Sequence, residues 1–366
     1  MNNKTKAVLA GLIVLLIVIG AMFARRSNGD TSPLKIGWIG PQTGDAAVLG
    51  MDSAVAAQLA VDEINKSGGV NGKQVQLYLE DDQYNTRKAI DAYNKLVHVD
   101  GVHMLIMQTY GAVFALAKEA QRDGVTIFDS LDCNSKLVEL GENVFCLATG
   151  SETIGESIAG EINKSGYERV GILYFNSDPF MPYVKEAFTK TYKGAVVEEG
   201  YAAGTKDFRT SLLKMKQANV QALVLFGYDE TGIAMQEART LGLTDPFFST
   251  ATITSPSLQK MAGTAAIGTK FAYWEGGAKG PVAKSFLKKF TAKVGRKPIL
   301  DLATYSTYDA VHTIARILSD GSSLTKAAVS TKSFEGATGQ VRFAADGSAR
   351  MRETLYVLTS DGVKKH

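Results

Sequence analysis

Several kinds of residue are scarce in this 366-residue chain, and each scarcity narrows what it can do. Two cysteines, Cys133 and Cys146, leave no room for a cysteine-ligated zinc cluster or a multi-bridge disulfide scaffold. The four histidines, His98, His103, His312 and His366, are scattered and give no metal-ligand spacing. No G-x-x-x-x-G-K-[ST] phosphate loop, G-x-S-x-G elbow, H-E-x-x-H or C-x-x-C occurs. Neither charge dominates: 40 Lys+Arg stand against 37 Asp+Glu, so the clustered basic surface of a nucleic-acid binder is missing. An enzyme is not expected, nor a cofactor, a resident metal or a nucleic-acid partner.

What remains is 45% apolar and holds 36 glycines against 8 prolines. That composition suits a large core crossed by many tight strand–helix turns. Residues 34–82 show the repeating plan. Leu34–Gly40 is a short apolar run of strand type, followed by a small-residue loop with Pro41, Gly44 and Gly50. A helix follows to about residue 65, with Ala54, Ala57, Val61 and Ile64 at helical spacing. Gly68 and Gly69 stop it, Asn71-Gly72 turns the chain, and Val75, Leu77 and Leu79 alternate in a second strand ending at Asp81-Asp82.

The same alternation continues. Apolar runs at 104–107, 125–128 and 144–149 flank a helix at 111–122, and Thr86 is the expected cap of a helix reaching 97. A second series has strands at 170–175, 195–201 and 222–226 and helices at 152–165, 182–192, 208–218 and 230–241. Helices at 282–294 and 302–319 come next, then a closing hairpin of 340–343 with 354–359 turning at Asp346-Gly347. Near-continuous apolar strands imply a sheet covered on both faces, hence two doubly wound α/β lobes. Crossings between them are expected at 146–151 and 274–280.

Residues 7–24 are 18 consecutive apolar or glycine residues, enough to span a bilayer. A signal-peptide core is usually shorter, and Met22 spoils cleavage after Ala24. A retained N-terminal membrane anchor is therefore preferred to a cleaved signal, with residues 25–33 as a linker.

The segment IGPQTGDAAVLG followed by VDEINKSGGVNGKQVQL closely resembles the first unit of the leucine/isoleucine/valine-binding proteins, type I periplasmic solute-binding proteins of ABC importers. The resemblance runs from about residue 34 to the C-terminus. It implies a third crossing at 336–340, giving lobe I as 34–148 plus 276–336 and lobe II as 149–275 plus 337–366. It further implies a monomer at the outer face of the cytoplasmic membrane. Such a protein captures a small polar solute, foremost a branched-chain or other amino acid, and passes it to an ABC permease. An amide or small carboxylate cargo is the alternative. A sensor ectodomain of the same fold is opposed by the lack of a second membrane span or signalling domain before His366.

The resemblance also places candidate ligand-binding residues on strand-end loops. Leu49 stands where the family has an aromatic. Tyr110 and Gly111 open a helix whose backbone N–H groups suit a carboxylate. Ser130, Leu131 and Cys133 follow the fourth strand, Phe180 replaces a tyrosine, and Tyr228 keeps the family aromatic. The acid that receives the ligand ammonium falls at Ala251, which carries no charge. Asp132, Asp229 and Glu230 are the nearby acids expected to replace it. Outside the cytoplasm Cys133 and Cys146 are free to form a disulfide; two buried thiols, with Cys133 in the cleft wall, are the preferred reading.

Overall fold

The structure is a computed structural model and describes residues 32–275 and 279–366. Strands β1 (Leu34–Gly40), β2 (Val75–Asp81), β3 (Met104–Met107), β4 (Thr126–Asp129) and β5 (Val144–Ala148) pair in parallel in the order β5-β4-β3-β1-β2. After β5 the chain enters a second sheet. There β6 (Arg169–Phe175), β7 (Ala195–Tyr201), β8 (Ala222–Phe226), β9 (Phe247–Ser249) and β10 (Lys270–Trp274) lie in the order β10-β9-β8-β6-β7, again parallel. The burial of β3, β4, β5 and β8 on both faces explains their unbroken apolar sequence.

The return segments differ from the sequence expectation. β11 (Ser333–Gly336) and β12 (Gly339–Arg342) form a small antiparallel hairpin of their own, so 340–343 does not pair with 354–359. β13 (Ser348–Arg350) joins the first sheet in parallel beside β5. Only β14 (Glu353–Thr359) and β15 (Gly362–Lys365) extend the second sheet, antiparallel to β10 and to each other. The third crossing therefore lies between Arg350 and Glu353, not at 336–340, and residues 337–350 belong with lobe I.

The physical cause is a polar clamp and an apolar anchor. The buried carboxylate of Asp309 accepts the Ala337 and Thr338 N–H groups at 2.7 and 2.8 Å. A side chain at residue 336 would collide with that carboxylate, which is why Gly336 stands there. Phe343 then packs edge-on against Phe128 and Phe145 of the first lobe.

Two further expectations need correction. The helix Thr86–Asn94 is capped by Asn85, whose side chain accepts the Lys88 N–H at 3.1 Å, rather than by Thr86. Cys133 and Cys146 are joined in a disulfide, so they are not free thiols. The anchor expected at residues 7–24 lies outside the described residues. Among the described residues no helix is long and apolar enough to cross a membrane.

The lobes touch. Ala46, Val48 and Leu49, from the loop after β1, pack into the core of the second lobe. Tyr84 meets Tyr228 edge-on at 5.2 Å between ring centres, and Tyr110 meets Phe180 at 5.7 Å. Lys136 sits 3.6 Å from the centre of the Tyr183 ring and 3.3 Å from the Glu186 carboxylate. These contacts describe a closed cleft.

Candidate functional site

In open parallel sheets the backbone groups beyond the carboxyl ends of the strands face a crevice suited to ligands. Here the crevices of the two sheets face each other. Between them lies a narrow cavity of ≈ 60 Å³, below the range of open small-molecule sites. Leu49, Leu131 and Leu302 form its wall on lobe I; Ile154, Phe180, Met181 and Ala251 form it on lobe II. Tyr84, Tyr228 and Tyr273 add aromatic surface. A larger recess of ≈ 530 Å³ on lobe I, around Glu63, His312 and Phe334, lies away from the strand ends.

Among the described residues the cavity lining contains no lysine or arginine, and Glu353 is its single acid. Glu353 opens β14, immediately after the third crossing. Burial pushes its carboxyl up to about 8, while the Thr149 and Thr153 hydroxyls act in the opposite direction. Its Oε2 is buried without a hydrogen-bond partner. An unmatched acceptor thus sits in an apolar cavity. Such groups are costly to bury unless something satisfies them.

Five of the sequence candidates line this cavity: Leu49, Leu131, Phe180, Tyr228 and Ala251. The others do not. Tyr110 is buried with its hydroxyl accepting from the Asn134 side chain at 2.6 Å. The Gly111 N–H, expected to meet a ligand carboxylate, donates to Asp178 Oδ2 of the opposite lobe at 3.2 Å. Ser130 is held by Thr307 at 2.8 Å and by Gln108, and Cys133 is committed to its disulfide.

None of the three substitute acids reaches the cavity wall. Asp132 accepts the Ser151 N–H at 2.9 Å and the Asn134 amide at 3.0 Å, so it serves the start of the helix Ser151–Lys164. Burial and the nearby Asp129 hold its carboxyl well above the ordinary range. Asp229 and Glu230 precede the helix Thr231–Thr240; Glu230 faces an adjoining recess with Asp45 and Arg87, which shares Tyr84 and Tyr228 with the cavity, and burial pushes it up to about 7.

Glu353 was not legible in the sequence. It stands in RETLYVL as a lone acid before an ordinary alternating strand. Placing 337–366 wholly in lobe II also hid that this strand starts at the cleft. Tyr84, Thr149 and Leu302 line the cavity too and were likewise missed: Thr149 was read only as part of the first crossing and Leu302 only as the start of a helix.

For metal, the grouping among the described residues that comes close enough is His98, Glu119 and Asp123. It sits at the far end of the helix Tyr110–Arg122 from the cleft, and Asp123 already accepts the Tyr93 hydroxyl at 2.7 Å.

Comparison with known proteins agrees with this geometry. A family model described as "Periplasmic binding protein" matches residues 33–364. The leucine-, isoleucine-, valine-, threonine- and alanine-binding protein of Pseudomonas aeruginosa is 25% identical over 344 residues, 90% of this chain and 91% of the relative. The Leu/Ile/Val-binding protein of Escherichia coli K12 is 26% identical over 275 residues, 73% of this chain and 72% of that protein. A solved structure of the branched-chain amino acid transporter substrate-binding protein LivJ from Streptococcus pneumoniae, in complex with isoleucine, superposes with a TM-score of 0.79. It is 26% identical and covers 91% of this chain and 99% of that one.

Proposed function

The chain belongs to the periplasmic binding protein family, and on that premise we propose that it captures an amino acid with an apolar side chain, of the leucine–isoleucine–valine class, between its two lobes. It then delivers the solute to an ABC importer at the outer face of the cytoplasmic membrane. The relatives are named for these amino acids. The observation that carries the reading is the cavity itself: an apolar wall of Leu49, Leu131, Ile154, Phe180 and Met181 with a few convergent polar groups. Tyr228, in the same lining, would donate its hydroxyl to the ligand carboxylate. The lack of a lysine or arginine in the lining disfavours a ligand that is only a carboxylate.

The protein acts by binding and release, without covalent chemistry, as a monomer that docks on its permease. Residues 7–24 tether it to the membrane. A thermal-shift panel tests the binding reading. Leucine, isoleucine and valine at ~100 times Kd should stabilise the fold by about 2.7 kcal/mol, while arginine, glutamate and benzoate should give no shift. A panel in which the apolar amino acids are silent and another class shifts the melting point overturns it.

A further inference from the structure

The ligand of the proposed function carries an ammonium group, and the position from which related proteins of this resemblance would meet it is Ala251 here. An alanine methyl cannot offset the cost of burying a cation. Yet the cavity is not without a countercharge. We propose that Glu353 is the group that receives the ligand's ammonium. This assignment rests on the amino-acid reading above and adds the residue that sets selectivity for an amine.

Four observations converge on Glu353. It is the single acid of the cavity lining. Its Oε2 is buried and has no hydrogen-bond partner among the described residues, so a donor arriving in the cavity meets an open acceptor. The hydroxyls of Thr149 and Thr153 reach its carboxyl, which fixes the group at the mouth of the first crossing. Among the described residues no cation lines the cavity to neutralise it. Asp132, across the cleft, is a like charge that raises the proton affinity of the pair, and Asp132 itself is occupied by Ser151 and Asn134. A carboxyl in that setting is neutral without ligand and becomes the partner of an ammonium when one enters.

The position also suits the closing mechanism. Glu353 lies three residues beyond the last residue of β13, whose sheet belongs to lobe I, and begins β14 in lobe II. A ligand held there touches the chain at a crossing, where a contact made on entry is coupled to the angle between the lobes.

The assignment is tested with Glu353→Gln and, as a comparator, Glu230→Gln, whose carboxyl is also buried and unpartnered on Oε2 but faces the adjoining recess with Asp45 and Arg87. Binding of leucine and of its deaminated analogue 4-methylpentanoate is measured by calorimetry. Wild type should bind leucine far better than the analogue. E353Q should lose leucine affinity by about 30-fold, the scale of a charge-assisted hydrogen bond, and should bind the analogue at least as well as wild type. E230Q should bind leucine as wild type does. Leucine affinity within about threefold of wild type in E353Q, or a loss confined to E230Q, overturns the assignment while the amino-acid reading stands. A wild type that binds no apolar amino acid overturns both. Should E353Q fail to fold, the wild type still decides: leucine affinity should rise between pH 6.5 and 8.5, whereas affinity for the analogue should not. A flat leucine profile rejects Glu353.

Discussion

The carboxylate of Asp178, on the loop after β6 of lobe II, accepts the backbone N–H of Gly111 in the first turn of a lobe I helix at 3.2 Å. The same carboxylate accepts the Phe180 N–H at 2.8 Å through its other oxygen. One side chain thus ties the start of its own helix to the positive end of a helix across the cleft. Removing it should cost the closed form about 1–3 kcal/mol. Asp178→Ala is therefore expected to expand the unliganded protein. Small-angle scattering reads this as a larger radius of gyration than wild type. Equal radii would show that the latch does not hold the lobes together.

Filling the cavity tests where the ligand goes. Ala251 is half-buried on the wall, and an indole in its place would occupy the space that Leu49 and Phe180 enclose. Ala251→Trp should lower amino-acid affinity by ~100-fold or more, because overpacking a formed site costs about 1–3 kcal/mol in addition to the lost contacts. Titration calorimetry with leucine provides the check. Wild-type affinity in this variant would move the site elsewhere, with the lobe I recess around His312 the next place to search.

The acids of the cleft give a signed pH dependence. Burial raises Asp129 and Glu230 to about 7 and Glu353 to about 8. A carboxyl with a raised folded value holds its proton more tightly when folded, so its contribution to stability is lost as pH rises through that value. His312, lowered to about 4 by burial, acts the other way, but only below its ordinary 6.5. Between pH 6.5 and 8.5 the carboxyls therefore dominate. The unliganded melting temperature should fall across that interval by on the order of a few °C. A melting point that rises there would contradict these burial assignments.

The disulfide should matter for stability rather than for the cleft. Cys133 and Cys146 are 13 residues apart and tie the loop after β4 to β5. Closing a loop of this length constrains the unfolded chain by about 3 kcal/mol. The double variant Cys133→Ala/Cys146→Ala should shift the urea midpoint downward while leucine still binds. An unchanged midpoint would mean that the bridge contributes nothing to folding.

The N-terminal run of residues 7–24 should remain in the mature protein, since its length fits a span and Met22 spoils the cleavage site. Intact-mass analysis of protein extracted from membranes should give the full chain. A mature chain beginning near Asp30 would refute the tether.

The sequence by itself determined the two α/β series, because a buried parallel strand and an amphipathic helix each leave a local signature. The unbroken apolar runs of β3, β5 and β8 and the spacing of Ala54, Ala57, Val61 and Ile64 in the helix Met51–Lys66 are such signatures. The resemblance of its first unit to the leucine/isoleucine/valine-binding proteins also pointed to Leu49, Leu131, Phe180, Tyr228 and Ala251, which line the cavity. Only the tertiary structure decided the rest. Whether 337–350 joins lobe I depended on Asp309, 28 residues from Ala337, capturing two backbone N–H groups, and on Phe343 finding Phe128 and Phe145. No local pattern encodes such a pairing. The acids near the cleft were equally undecidable by spacing: Asp132 turned toward a helix start and Glu230 toward an outer recess, while Glu353, from the far end of the chain, came to line the cavity. Which carboxyl is left unsatisfied depends on every donor around it, and those donors are assembled only when the chain has folded.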